Sequence, residues 1–368
     1  MSKVIILTQG SLGHILPMLS IGEELIKFGH DVDISTHQRY GKIIDSSKVN
    51  RIDYHSKLSD DLINKHLEEI LQETSNGTRH KRQRALKAVD GETRAPHCMK
   101  ILPSYDLAII NEYDIYGMWS AAQLSTPWIR FGIDPFDFSE SNTSKAIIKF
   151  STKFLKNKAP HLFERGSSEL LNISIGFYKT QKSESILKTG GWESSQYLHS
   201  DSHAKIDEGV LLCINQYFWF VTKEYRTKLF NSIDALEMPV NVIGAYNDEI
   251  PSEFNVIEGN SLAALLPDTK LFIGSGGYNT VLSCMSQSTP FINFPLVDDQ
   301  FYWSKQVANH NISPQPIPFS AVEPKTMIEL YDEAKNKILN APDFLDSTVA
   351  TNGLDSVVHS ITELLVND

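Results

Sequence analysis

The chain has few of the features that mark a secreted, metal-binding or membrane protein. Its three cysteines, Cys98, Cys213 and Cys284, lie far apart and in no CxxC spacing. That is too few for a disulfide framework and the wrong pattern for a zinc site, and it suggests a reducing compartment. Cys98 beside His97 reads as a structural thiol, because neighbours on an extended segment point apart. No apolar run reaches the roughly 18 residues of a membrane span. The apolar run after Lys3 stops at Thr8, with no small-residue cleavage site behind it, so no signal peptide is expected. Positive charge is short as well: the formal net charge is -11, which argues against general nucleic-acid binding. There is no short-period repeat, no GxGxxG fingerprint for a dinucleotide and no Asp-x-Asp motif for a metal. These absences leave a soluble, cytoplasmic protein with neither metal nor cofactor as the expectation.

What the chain does contain is material for two α/β domains. It has 368 residues, 41% of them hydrophobic, enough for two cores. Val4-Ile5-Ile6-Leu7 reads as a buried parallel strand. Ile15 to Phe28 has helical spacing and stops at Gly29. Asp31 to Ser35 is the next strand, giving a βαβ opening and a doubly wound sheet. Asp106 to Asn111 and Trp128 to Phe131 continue it. Residues 180 to 209 are rich in Gly, Ser, Lys, Glu and His and read as linker. Val210 to Ile214 starts a fresh strand. The expected organisation is a first domain over 1–185, a linker over 186–209, a second domain over 210–350, and a closing helix over 351–368 that in such folds often crosses back onto the first domain.

The stretch from Leu271 to Trp303 carries the chemistry. An apolar strand, Leu271-Phe272-Ile273, runs into Gly274-Ser275-Gly276-Gly277, and a helix follows near Asn279 and Thr280. Strand, glycine turn and helix start place an anionic ligand group on free backbone N–H groups. A second apolar run, Pro290 to Pro295, is expected as the next strand. It leads to Asp298-Asp299-Gln300, a carboxylate pair and an amide suited to sugar hydroxyls and expected at a strand end. Two adjacent carboxylates there would point apart, which disfavours a shared metal ion. Taken alone, the glycine turn is as well explained as a tight loop closure.

SGGYNT followed by DDQFYW resembles the donor-binding signature of family 1 nucleotide-sugar glycosyltransferases, with the later stretch DQFYWSKQVANHNISPQPIP most similar to the sterol, lipid and natural-product glucosyltransferase branch. The resemblance implies the GT-B fold: α/β, two Rossmann-like doubly wound parallel-sheet domains facing each other across a cleft. It implies a nucleotide-diphosphate sugar as co-substrate, UDP- or dTDP-linked, with no cofactor. Ser275, Gly276, Gly277, Asn279 and Thr280 would bind the donor diphosphate, and Asp299 and Gln300 the donor sugar. Ser275 stands where the family has a phosphate-contacting His, and Ser283 where many members have an acid for the ribose. Asn215-Gln216-Tyr217 occupies the place of a Gly-Ser loop.

The first loop, TQGSLGHILPML, resembles the acceptor-side loop of the same family, in which a His or Asp acts as general base. His14 is the matching residue and Ser11 lies beside it on the acceptor side. A loop imidazole near neutral pH can accept a hydroxyl proton; the competing reading is a helix cap or a backbone hydrogen bond. DLAIIN…AAQLSTPWI resembles the family segment whose strand-end carboxylate orients that base. The matching residue is Asn111, which cannot offset a charge, so Glu112 or Asp114 is expected as the acidic partner. Asp134 is another acid at a strand end.

The expected activity is therefore inverting transfer of a sugar to a hydroxyl of a small acceptor, lipid or natural product. The aromatic residues Tyr113, Tyr116, Trp119, Trp128, Phe131, Phe136 and Phe138 fit an apolar acceptor, or plain core. Two basic stretches, at 79–84 and 145–158, read as solvated helix faces or as contact with an anionic acceptor or a membrane surface. The alternative activities are a non-catalytic GT-B protein with a degraded donor site and, further off, a sugar-nucleotide epimerase.

Overall fold

The computed structural model describes residues 1–9, 12–56, 91–132, 169–176, 181–182, 186–190, 192, 206–215, 218–219, 221–244, 249–257, 262–296, 298–348 and 353–367. Several expectations lie outside these residues: Ser11, Asp134, Phe136, Phe138, Gln216, Tyr217, and the basic stretches at 79–84 and 145–158. The chain forms two compact units. The first comprises Met1–Trp192 together with Val349–Asp368, and the second Glu193–Thr348.

In the first unit, β1 (Lys3–Leu7), β2 (Asp31–Ser35), β3 (Asn50–Arg51), β4 (Leu107–Asn111), β5 (Trp128–Gly132), β6 (Glu169–Gly176), β7 (Gln181–Lys182) and β8 (Ile186–Gly190) make one sheet in the order β3-β2-β1-β4-β5-β6-β8-β7. All pairings are parallel except β7 with β8. Val4 to Leu7 and Leu107 to Ile110 are buried on both faces, as parallel strands covered by helices must be. The helix α1 (Leu12–Lys27) follows β1. It ends at Gly29, whose φ of +86° suits only glycine at low strain, with the His30 N–H donating to the Leu25 carbonyl (3.1 Å).

Two expectations are corrected here. The linker over 186–209 is shortened, because Ile186–Gly190 is β8 and pairs in register with β6. The apolar pair Ile186-Leu187 outweighs the glycines around it, and Leu187 is buried in the sheet. The expected strand over Pro290 to Pro295 contracts to Phe291–Asn293, and Asp298-Asp299-Gln300 opens a helix instead of ending a strand.

The second unit has β9 (Gly209–Ile214), β10 (Val240–Gly244), β11 (Asn255–Val256), β12 (Thr269–Gly274) and β13 (Phe291–Asn293) in the order β11-β10-β9-β12-β13, all parallel. Its core packs Val210, Leu212, Leu271 and Ile273 against helix and loop residues such as Phe218, Phe230 and Met327. The closing helix, Gly353–Asn367, belongs to the first unit and packs on α1. Among the described residues no helix is long and apolar enough to cross a membrane.

Candidate functional site

In the first unit the loops after β1 and β4 are neighbours, because Leu7 pairs with Ile110 in the parallel register. His14 sits in the first turn of α1. Its Nδ1 is buried with no hydrogen-bond partner, which leaves Nε2 as the nitrogen available to a substrate. Burial pushes its pKa down to about 4, so the imidazole is neutral at pH 7 and has a lone pair to offer. Its ring meets Tyr113 edge-on, with 4.7 Å between centroids and 67° between planes.

Tyr113 is placed by a tight turn at the end of β4. The Asn111 side-chain oxygen accepts from the Tyr113 N–H (3.0 Å), and the Asn111 carbonyl accepts from the Asp114 N–H (2.8 Å). Asn111 itself is fully buried and its amide nitrogen has no partner. Glu112 lies against β5: its carboxylate stands so close over Gly132 that a Cβ there would meet Oε2 at 2.6 Å.

Asp114 is committed elsewhere, and its expected role as acidic partner of His14 is withdrawn. One carboxylate oxygen caps the helix Ile115–Leu124 by accepting from the Gly117 N–H (2.9 Å). The other accepts from Arg94 Nε (3.0 Å) and Nη2 (2.5 Å). Both side chains are fully buried. Arg94 also donates to the Ser35 hydroxyl and carbonyl at 3.0 Å each and stacks over Tyr54, 4.7 Å from the ring centroid. Burial opposes its charge, but Asp114, by charge and hydrogen bond, together with Cys98 and Tyr54 holds its pKa above the ordinary arginine value. The Ser35 hydroxyl also shares a hydrogen bond with His97 Nε2, 2.9 Å away. Burial, then the Arg94 charge, pushes the His97 pKa down to about 4. This network was not legible beforehand, since Arg94 lies in a polar stretch without pattern. The helix cap carries a signal of its own, since Asp is a favoured N-cap residue.

In the second unit, β12 delivers the chain through Ser275-Gly276-Gly277 into the helix Tyr278–Ser286. Gly276 has φ +77°, and a Cβ there would meet Ser304 Oγ at 2.1 Å and Asn293 Cγ at 2.9 Å. Gly277 is the N-cap, makes no side-chain cap bond, and has nothing within 4 Å of where a Cβ would stand. The helix start therefore presents backbone N–H groups beside open space, the arrangement that holds an anion. Asn279 and Thr280 lie in the first turn, half-buried. Ser275 Oγ accepts from Asn215 Nδ2 at 2.9 Å, which joins the exits of the adjacent strands β9 and β12. Ser283 is buried in the same helix.

Asn293 and Ser304 are buried behind Gly276, and neither side-chain oxygen nor the Asn293 amide nitrogen has a partner. Asp299 is half-buried in the first turn of the helix Asp298–Asn309, where a carboxylate complements the helix dipole. Gln300 is 7% exposed, and its Oε1 accepts from the Leu296 N–H (2.9 Å). It shapes the loop entering the helix, a role the strand expectation hid. Among the described residues no group of three His, Cys, Asp or Glu side chains is placed to hold a metal ion.

Two parallel-sheet α/β units with these strand-end loops define the GT-B fold. Solved structures agree over the whole chain. A glycosyltransferase of kitacinnamycin is 15% identical, covers 98% of both chains and has a TM-score of 0.68. The glycosyltransferase VinC in complex with dTDP is 13% identical over 100% of both chains, with a TM-score of 0.66. The spinosyn forosaminyltransferase SpnP is 12% identical over 99% of both chains, with a TM-score of 0.68. Residues 4–90 match the glycosyltransferase family 28 N-terminal domain. That match takes in β1, α1 and His14. No curated protein gives a significant sequence match.

Proposed function

We propose that this protein is an inverting glycosyltransferase that moves a sugar from a nucleotide-diphosphate donor to a hydroxyl of a small, apolar or aromatic acceptor. The observation that carries the reading is the glycine turn at Ser275 to Gly277, which opens onto an uncapped helix start with free space above Gly277. A diphosphate placed there accepts hydrogen bonds from the first-turn N–H groups of Gly277 to Asn279 and gains from the helix dipole. Asp299, half-buried in the next helix start, is the group for donor-sugar hydroxyls. Gln300, whose Oε1 accepts from the Leu296 N–H, is assigned to the donor sugar beside it. VinC, a relative in fold, was crystallised with dTDP, which makes dTDP- and UDP-sugars the first donors to test.

His14 is the general base. Its Nε2 takes the acceptor hydroxyl proton while the hydroxyl oxygen attacks the anomeric carbon. The bond from that carbon to the phosphate oxygen breaks with inversion, and the nucleoside diphosphate leaves with both electrons. Its growing charge falls on the helix-start N–H groups, which need no metal ion in this reading.

A second reading, a non-catalytic GT-B binding or auxiliary protein with a degraded donor site, is favoured by one observation. Ser275 and Gln300, both assigned to the donor, are hydrogen-bonded inside the protein. Thermal stabilisation against a panel of nucleotides and nucleotide-sugars, followed by nucleoside diphosphate release with mixed acceptors, separates the readings. The transferase reading expects a shift with one diphosphate-sugar that Asp299→Ala loses and His14→Ala keeps, and turnover that His14→Ala loses. A shift without any turnover supports an auxiliary protein that still binds nucleotide, and no shift at millimolar ligand rejects the transferase and supports a non-catalytic protein with a degraded donor site.

A further inference from the structure

We propose that Tyr113 is the positioning residue of His14: its ring, locked in place by the turn from Asn111 to Asp114, packs on the imidazole in place of the acidic partner that a base in this position would otherwise use. The inference rests on the reading of His14 as general base and deepens it.

Three observations meet here. The His14 and Tyr113 rings stand edge-on at 4.7 Å. The turn that presents Tyr113 is held at three points, by Asn111 to the Tyr113 N–H, by Asp114 to the helix start it caps, and by the buried Arg94–Asp114 pair. Of the two acids in that turn, Asp114 faces Arg94, and the Glu112 carboxylate stands over Gly132. The elements packed on α1 are β2, with Asp31 and Asp33, and the closing helix, with Asp355, His359 and Glu363. Burial is the cause of the low His14 pKa.

An acidic partner and an aromatic one tune a base in opposite directions. A carboxylate stabilises the imidazolium and raises basicity. An aromatic ring removes water, keeps the imidazole neutral and fixes its plane, at the expense of proton affinity. A base of this kind is fully deprotonated well below neutral pH, so its rate limb lies on the acid side.

The test reads His14 directly in the free protein, with 13C-labelled histidine and His14→Gln for assignment. Tyr113 is 37% exposed, so its replacement leaves the core intact. Tyr113→Ala is expected to move the His14 titration midpoint up toward the ordinary histidine value, and Tyr113→Phe, which keeps the ring, to leave it near that of the native protein. Should Tyr113→Ala fail to fold, Tyr113→Leu is expected to give a smaller shift in the same direction. A midpoint unmoved by loss of the ring, or moved equally by Tyr113→Phe, overturns the proposal. No donor or acceptor is present, so failure of the transferase reading leaves this result standing. Where turnover is measurable, the acid limb of kcat/KM should move with the titration.

Discussion

The Asn215 side-chain nitrogen donates to the Ser275 hydroxyl across 2.9 Å, tying together the exits of two adjacent strands. These are the two places where the chain departs most from the glycosyltransferase motifs it resembles, and the departures touch each other. Asn215 is further fixed by its Oδ1, which accepts from the Phe218 N–H (3.2 Å). A neutral, internally bonded pair thus stands where the resemblance would put a His and a Gly-Ser loop.

Because they share this bond, Asn215→Ala and Ser275→Ala should not be additive. A double-mutant cycle read by urea denaturation is expected to give a coupling of about 0.5–1.5 kcal/mol. Additivity would mean the bond contributes nothing in solution.

Gly276 and Gly277 should respond oppositely to alanine. Gly276→Ala meets both a positive φ of +77° and the Ser304 and Asn293 side chains, and is expected to lose about 2–3 kcal/mol of stability. Gly277→Ala has open space around it and should leave the melting temperature nearly unchanged while weakening binding of a nucleotide diphosphate several-fold. Equal melting temperatures for the two variants would contradict the geometry.

The Arg94–Asp114 pair is fully buried on both sides. Removing one partner leaves a buried charge, so Arg94→Met and Asp114→Asn are each expected to destabilise by about 3–5 kcal/mol in chemical denaturation. Asp114→Asn keeps an oxygen for the Gly117 N–H and should be the milder of the two.

Stability should fall as pH drops from neutral toward 4. His14 and His97 both have folded-state pKa values lowered to about 4 from 6.5. The unfolded chain therefore takes up protons first as pH falls through 6.5. The loss grows down to about pH 4 and then levels. At pH 5 each histidine is expected to forfeit on the order of 1–2 kcal/mol relative to pH 7. Urea midpoints of the native protein and of His97→Gln at the two pH values measure the share of His97.

The strands and the glycine turn were readable because burial on both faces leaves continuous apolar runs such as Val4 to Leu7 and Leu271 to Ile273, and because Gly276 meets a conformation and a closeness that only glycine tolerates. Other features depend on partners distant in sequence. Asp114 looked like a free acid because Arg94, its partner, lies twenty positions earlier in an unpatterned stretch. The helix opening at Asp298 was mistaken for a strand end because its first turn carries no apolar spacing. Ile186-Leu187 looked like linker because two apolar residues among glycines and serines are a weak signal until β6 is beside them.

The first unit is interrupted: the chain leaves it after Trp192 and returns at Val349. During synthesis the second unit is therefore made, and free to fold, before the helix that packs on α1 has appeared. The helix that carries His14 stays partly uncovered until then, so synthesis that stops between the two junctions leaves a complete second unit beside a first unit whose α1 lacks its covering helix. Fusions, split versions and truncations of this protein should respect that order, placing cuts within the second unit's loops instead of trimming the far helix.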